Sequence, residues 1–203
     1  MSILDITDLV QDNTTEIIEW LKENLIDDQY EWLNSHKNIE IKNQVINVNG
    51  NINLNLKNKG NLPEFIKFGK VTGHFVCSNC KLTSLRGVPD FVGGSFDCAY
   101  NNLTTLKNGP KVVEGNYYAS DNKLTSIRKN HFLPKYLRVL NVNRNRNLKF
   151  ITGLSDMNIE SLYIDECYKV RGAENIKHVQ FIFARYSNEL QNEMNIKGIS
   201  FII

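Results

Sequence analysis

The chain has 203 residues, enough for one domain with a large core, and its 24 Lys and Arg against 22 Asp and Glu leave a formal net charge of +2. So balanced a charge supports neither strong nonspecific nucleic-acid binding nor a membrane-surface role. Four cysteines without a signal peptide or a long apolar run are what a soluble cytoplasmic protein lacking disulfides is expected to show.

Residues 1–38 repeat nothing downstream and read as helical. In DNTTEIIEWLKENLI, Asn13 stands three residues before Glu16 as in a capping box, and Ile17, Trp20, Leu21 and Leu25 follow at helical spacing. DQYEWLNSH reads as a second short helix with Asp28 as its cap. Residues 39–57, IEIKNQVINVNGNINLNLK, alternate apolar and Asn almost without a break from Ile46 to Leu56. Asn49 and Gly50 suit the left-handed positions of a two-residue turn, which predicts a hairpin whose second strand enters the sheet that follows.

From Val71 onward the chain repeats every 21 residues. CSNCKLTSL is followed at that spacing by CAYNNLTTL and ASDNKLTSI; Phe75 leads to Phe96 and Tyr117, Gly73 to Gly94 and Gly115, Leu82 to Leu103 and Leu124. Such a period is the signature of a solenoid, whose units bury their apolar faces only by stacking on one another. Within a unit, Phe96 and Cys98 alternate and Leu103 and Leu106 are more widely spaced, which predicts a short strand, a turn and an irregular return. Cys80, Asn101 and Asn122 share the turn position. An inward Asn there can donate to and accept from backbone groups that lose their ladder partners at the strand end.

The pattern continues with Leu140, Val142, Asn145, Leu148 and Ile151, and 22 residues later with Leu162, Ile164, Cys167 and Val170. The ladder column is thus Cys80, Asn101, Asn122, Asn145 and Cys167. Upstream, Leu54, Leu56, Leu62 and Phe65 fit the spacing, but Lys59 falls where Asn or Cys is expected. Residues 175–192 leave two registers open: a unit starting at Phe181 puts Tyr186 in the Asn column, and one starting at Phe183 puts Asn188 there. The closing GISFII reads either as a buried last strand, the expected case because a bare apolar edge aggregates, or as a dimerising edge.

The motif in Phe96, Cys98, Asn101, Leu103 and Leu106 resembles the leucine-rich repeat, and LTSLRGVPDFVGGSFDC resembles the variety found in bacteriophage, giant-virus and some bacterial proteins. The abundance of Asn and the excess of Lys over Arg are compatible with that source. The resemblance implies an α/β leucine-rich-repeat solenoid over residues 39–203, with a curved parallel β-sheet, a short irregular convex side and a hairpin. Residues 1–38 are then expected to be an N-terminal helical cap packing Trp20 and Trp32 on the first coil, within one structural domain. A separate partner-binding helix is the other reading of that segment.

A zinc site would recruit Cys77, Cys80 and His74, but a closed site needs four ligands and no second pair is present. Cys98 and Cys167 occupy repeat positions, so the sulfurs are expected in the core, with no metal and no cofactor.

Function is read from a surface. Outward side chains of stacked strands line up across the concave face, which is expected to carry His74, Val76, Asn79, Asp97, Tyr100, Tyr118, Asp121, Asn141, Asn143, Arg144, Tyr163, Asp165 and Glu166. Tyr and Arg among carboxylates suit a protein-binding face. No nucleophile with a base, phosphate cradle or convergent acid pair stands out, and Asp165 and Glu166 point in different directions; His74, His131 and His178 fall in different coils. The expectation is a monomeric, non-enzymatic binder of a bacterial host protein, acting in the host cytoplasm on a target such as a defence enzyme or toxin. Alternatives are a virion, assembly or self-associating protein, and a nucleic-acid binder through Arg144, Arg146 and Lys149, with Lys123, Arg128 and Lys129 one coil earlier.

Overall fold

The computed structural model describes residues 13–56, 60–129 and 133–203, so Lys59 and His131 lie outside the described residues. The chain is a parallel-sheet β-solenoid of about six turns with few helices. Helix α1 (Thr14–Asn24) buries Ile17, Trp20 and Leu21, and α2 (Gln29–Ser35) buries Tyr30 and Leu33. Asn13 and Asp28 precede these helices without a side-chain cap hydrogen bond. Trp32 is 54% exposed and stacks on His36 at 4.8 Å instead of packing inward.

Strands β1 (Ile39–Lys42) and β2 (Val45–Val48) form an antiparallel hairpin. Its turn is Asn43 and Gln44, at φ 50° and 61°, the two left-handed positions that a two-residue hairpin turn requires. The turn therefore does not lie at Asn49–Gly50. That pair sits at a corner between β2 and β3 (Ile52–Asn53), where the chain passes from one sheet to another while Ile46, Val48, Ile52 and Leu54 all stay buried. Alternation carried round a corner looks like one unbroken strand in sequence.

The next coils repeat this path: β4 (Phe68–Val71), a glycine corner and β5 (Phe75–Val76); β6 (Phe91–Val92) and β7 (Phe96–Asp97); β8 (Val112–Val113) and β9 (Tyr117–Tyr118). There are accordingly two sheets where the repeat spacing suggested one. The order is β1-β2-β4-β6-β8 in the five-stranded sheet. Strands β10 (Tyr136–Asn141), β11 (Asn158–Tyr163) and β12 (Val179–Phe183) join only the seven-stranded sheet, ordered β12-β11-β10-β9-β7-β5-β3.

Glycine decides where the corner exists. Gly73 N–H donates to Gly50 O at 2.9 Å, Gly94 to Gly73 at 2.9 Å, and Gly115 to Gly94 at 3.0 Å. A Cβ on Gly94 would lie 2.8 Å from the Gly73 carbonyl carbon, and one on Gly115 would lie 2.8 Å from the Gly94 carbonyl, so no other residue stacks there. Since Leu140 pairs with Tyr117, the next residue in this column is Arg138, followed by Glu160 and Gln180. With a side chain in the way the chain cannot fold onto the previous corner, and one longer strand runs through.

One apolar core extends from Ile17 to Met194. Its spine is a file of rings, with Phe75–Phe96 centroids 5.9 Å apart and Phe96–Tyr117 5.0 Å apart. Ile52, not Leu54, pairs with Phe75, so the first unit is 23 residues before the next, and Ile66 rather than Phe65 is its buried apolar residue. In the last coil Ile182 pairs with Leu162, which excludes both registers considered for residues 175–192. Phe181 is 43% exposed and Phe183 lies on the outer face, so the largest apolar side chains of that segment mislead. Helix α3 (Asn188–Lys197) then buries Leu190 and Met194, and Ile202 bridges Phe183 in parallel. The terminal segment is thus paired with the sheet yet not buried, Ile203 being 75% exposed.

Candidate functional site

Behind the exposed face of the seven-stranded sheet runs a column of inward polar side chains. Asn101 Oδ1 accepts from the Cys80 and Leu82 amides at 3.0 and 2.9 Å, and its Nδ2 donates to the carbonyls of Cys77 and Cys98 at 2.9 and 3.0 Å. Asn122 accepts from Leu103 N at 2.9 Å and donates to Cys98 O at 3.0 Å; Asn145 accepts from Leu124 N at 3.0 Å and donates to Ala119 O at 3.0 Å. Each Asn therefore staples its own coil to the preceding one. Cys80 and Cys167 donate more weakly through sulfur, to Leu54 O at 3.6 Å and Val142 O at 3.4 Å. In the last coil Ser187 takes the place, accepting from Cys167 N at 3.1 Å and donating to Ile164 O.

The four cysteines are buried and unpaired. Burial pushes the Cys77 and Cys98 thiols well above their ordinary range and Cys167 up to about 12. Metal ligation needs thiolate, which this environment opposes. Among the described residues no group of three or more His, Cys, Asp or Glu is placed to hold a metal ion, and no helix is long and apolar enough to cross a membrane.

Immediately beyond the strands the backbone repeats an unusual feature. Asn79, Tyr100, Asp121, Arg144, Glu166 and Tyr186 occupy one position in successive coils, and all have left-handed φ, from 53° to 59°. Asn and Asp adopt this conformation readily, whereas other side chains incur about 1 kcal/mol or more. Tyr100 and Tyr186 are nonetheless 58% and 60% exposed there. Asp97, Tyr118, Asn141, Asn143, Tyr163 and Asp165 stand on the strands or just after them and are half-buried.

These side chains are linked both across coils and within them. Arg144 donates through Nε and a terminal nitrogen to the two Asp121 oxygens, both at 2.6 Å, and Asp121, with Tyr100 adding to it, holds the guanidinium further above its ordinary range. Asn143 Oδ1 accepts from Asp165 N at 2.7 Å, and Asp165 accepts from Arg185 N. Asn141 Oδ1 accepts from Asn143 N at 3.0 Å, while Tyr118 Oη accepts from Asn116 Nδ2 at 2.7 Å. Tyr163 stacks flat on Phe183 at 4.3 Å. Asp97 accepts from Ala99 N at 2.9 Å, yet burial still raises its carboxyl. Phe183, Arg185 and Tyr186 belong to this face and were missed in sequence because the last register was ambiguous.

The basic residues considered for nucleic acid do not form a free strip. Arg144 is held by Asp121, Arg146 reaches Glu166 at 3.4 Å, and Lys129 pairs with Asp156 at 3.1 Å. Lys123 and Lys149 are exposed.

No family model matches the chain, and neither a curated protein nor a solved structure matches it. Function rests on the chain's own geometry.

Proposed function

We propose that the chain is a leucine-rich-repeat solenoid that works as a non-enzymatic protein-binding module, presenting the exposed face of its seven-stranded sheet to a partner. The observation that carries this reading is the pair Tyr100 and Tyr186, exposed at left-handed positions where their backbone is costly. Tyrosine supplies rigid contact area and a hydroxyl, the properties that concentrate binding energy in interfaces. The intervening Asp121–Arg144 fork and Glu166 provide charge of both signs, and the Tyr163–Phe183 stack an apolar platform. The carboxylates are engaged in orienting hydrogen bonds, which suits a preformed surface better than proton transfer.

The α1–α2 segment serves in this reading as a cap on the first coil. Its support is the Leu25–Leu54 bridge, the Asn55 N–H bond to Asn24 O at 2.7 Å, and the 2.9 Å bond from Asn53 N to Gln29 Oε1, all along the outer edge of β3. The likeness of the LTSL repeats to phage and giant-virus repeats makes a bacterial host protein, such as a defence enzyme or toxin, the target class, with binding covering its active surface.

The test is an affinity capture from bacterial lysate that compares the natural chain with Tyr100→Gly, Tyr186→Gly. Glycine relieves the left-handed backbone while deleting both rings, so folding is expected to hold. A protein retained by the natural chain and lost by the variant supports the reading. Equal capture by both would refute the face as the binding site.

A further inference from the structure

The five-stranded sheet stops at β8, because the corner glycines end at Gly115 and Arg138 follows in that column. Between β8 and the first halves of β10, β11 and β12 lies a groove of about 1190 Å³. Its floor has a repeating backbone pattern. The carbonyls of Asp90 and Val92 in the preceding coil accept from Val112 N and Glu114 N at 3.1 and 3.0 Å. Their counterparts one coil later, Lys111 and Val113, line the groove, and among the described residues no strand lies beyond them.

We infer that this groove binds an extended acidic peptide of a partner protein, which adds as a further strand to the outer edge of β8. Strand addition takes its affinity from main-chain hydrogen bonds and its specificity from alternate side chains. For the apolar ones the groove offers Val112, 45% exposed, and Tyr136, 72% exposed. Its charge selects the others. Lys135 and Arg138 are exposed and make no ion pair among the described residues, and Lys177 stands with them against Glu114 and Glu160. Lys111 is already committed to Asp90 at 3.1 Å. A groove of this volume exceeds the usual small-molecule site and matches a chain segment. The opening is separate from the tyrosine column of the seven-stranded sheet, so this second docking site stands or falls independently of the first.

The test is selection of displayed random peptides, about ten residues long, on the full chain. Synthetic peptides of the enriched sequences are then titrated by fluorescence anisotropy. The expected sequences alternate acidic with apolar residues, and their affinity falls about tenfold or more in Lys135→Glu, Arg138→Glu. Both changed residues are exposed, so the fold is retained, and Tyr100→Gly, Tyr186→Gly is expected to bind these peptides unchanged. Introducing proline at alternate peptide positions should also abolish binding, as main-chain pairing demands. Failure to enrich acidic peptides, undiminished binding by the charge-reversed variant, or displacement of the peptide by a single-stranded oligonucleotide that binds more tightly would each overturn the inference.

Discussion

In the coils up to β9 the chain turns a corner at glycine; in the coils from β10 onward it runs straight past Arg138, Glu160 and Gln180. The inner column changes at a different point: Asn101, Asn122 and Asn145, the last already in the β10 coil, bind both donors and acceptors of the preceding coil, Cys80 and Cys167 donate only through sulfur, and Ser187 in the last coil makes one bond of each kind. A repeat can therefore keep its stacking core and shed its second sheet once one column loses glycine. The loss exposes the edge of β8 and creates a groove, so a single column of the repeat shapes a surface far from the tyrosines.

The largest expected effect is in the inner column. Asn101→Leu strands the Cys80 and Leu82 amides and the Cys77 carbonyl inside the solenoid, while the Cys98 carbonyl keeps its bond from Asn122; since each orphaned group costs about 1–3 kcal/mol, the loss should reach about 3 kcal/mol or more. Ser187→Ala, in the late coils, orphans fewer groups and should lose about 1–3 kcal/mol. Urea denaturation of both variants checks the order. Equal losses would mean that the two halves are stapled alike, and the contrast between them would fail.

The next effect tests the corner. Gly94→Ala places a methyl 2.8 Å from backbone atoms of Gly73 and His74, and overpacking of that kind costs about 1–3 kcal/mol. Arg138→Ala, at the same column after the corner has gone, should stay within about 0.5 kcal/mol. Thermal unfolding of the pair distinguishes a glycine demanded by stacking from one that is merely tolerated.

How far these features were legible in sequence follows the same boundary. Spacing aligned Phe75, Phe96 and Tyr117 because three coils of equal length put identical side-chain types at equal intervals. It could not show the second sheet, since strands as short as Phe91–Val92 place one buried residue each and carry no period of their own. Nor could it settle the first coil, where unbroken alternation makes Ile52 and Leu54 equally good partners for Phe75. In the last coil Phe181 and Phe183 point outward, against the expectation that the largest apolar residues are inside. For the candidate site, spacing placed Tyr100, Asp121, Arg144 and Glu166 on one face, but Tyr, Arg and Glu carry no sequence mark of the left-handed backbone they share with Asp121.

A smaller effect sharpens the comparison within the ring file. Tyr117 continues the column of Phe75 and Phe96, but its hydroxyl is fully buried with no hydrogen-bond partner among the described residues. Tyr117→Phe should therefore gain about 1 kcal/mol by removing an unpaired polar group. A loss of similar size would show that the hydroxyl fills space over Gly109 more usefully than its desolvation costs.

The smallest effect is electrostatic and concerns Asp97, on the early coils. Burial raises the Asp97 carboxyl, and the hydrogen bonds from Ala99 N–H and Ser78 only partly offset this. In the pH window between the ordinary Asp value and the raised one, the folded chain keeps a proton that the unfolded chain has released. Stability in that window falls as pH rises, and the full penalty is in force above it. Asp97→Asn keeps an acceptor for Ala99 N–H and removes the titration. The variant should be the more stable at neutral pH, with the advantage shrinking as pH falls through the raised value and gone below the ordinary Asp value of about 3.9, where the carboxyl is uncharged in both the folded and the unfolded chain. An advantage that grew on acidification would mean that the Asp97 carboxylate is stabilised in the fold, and that its half-buried place is favourable to charge.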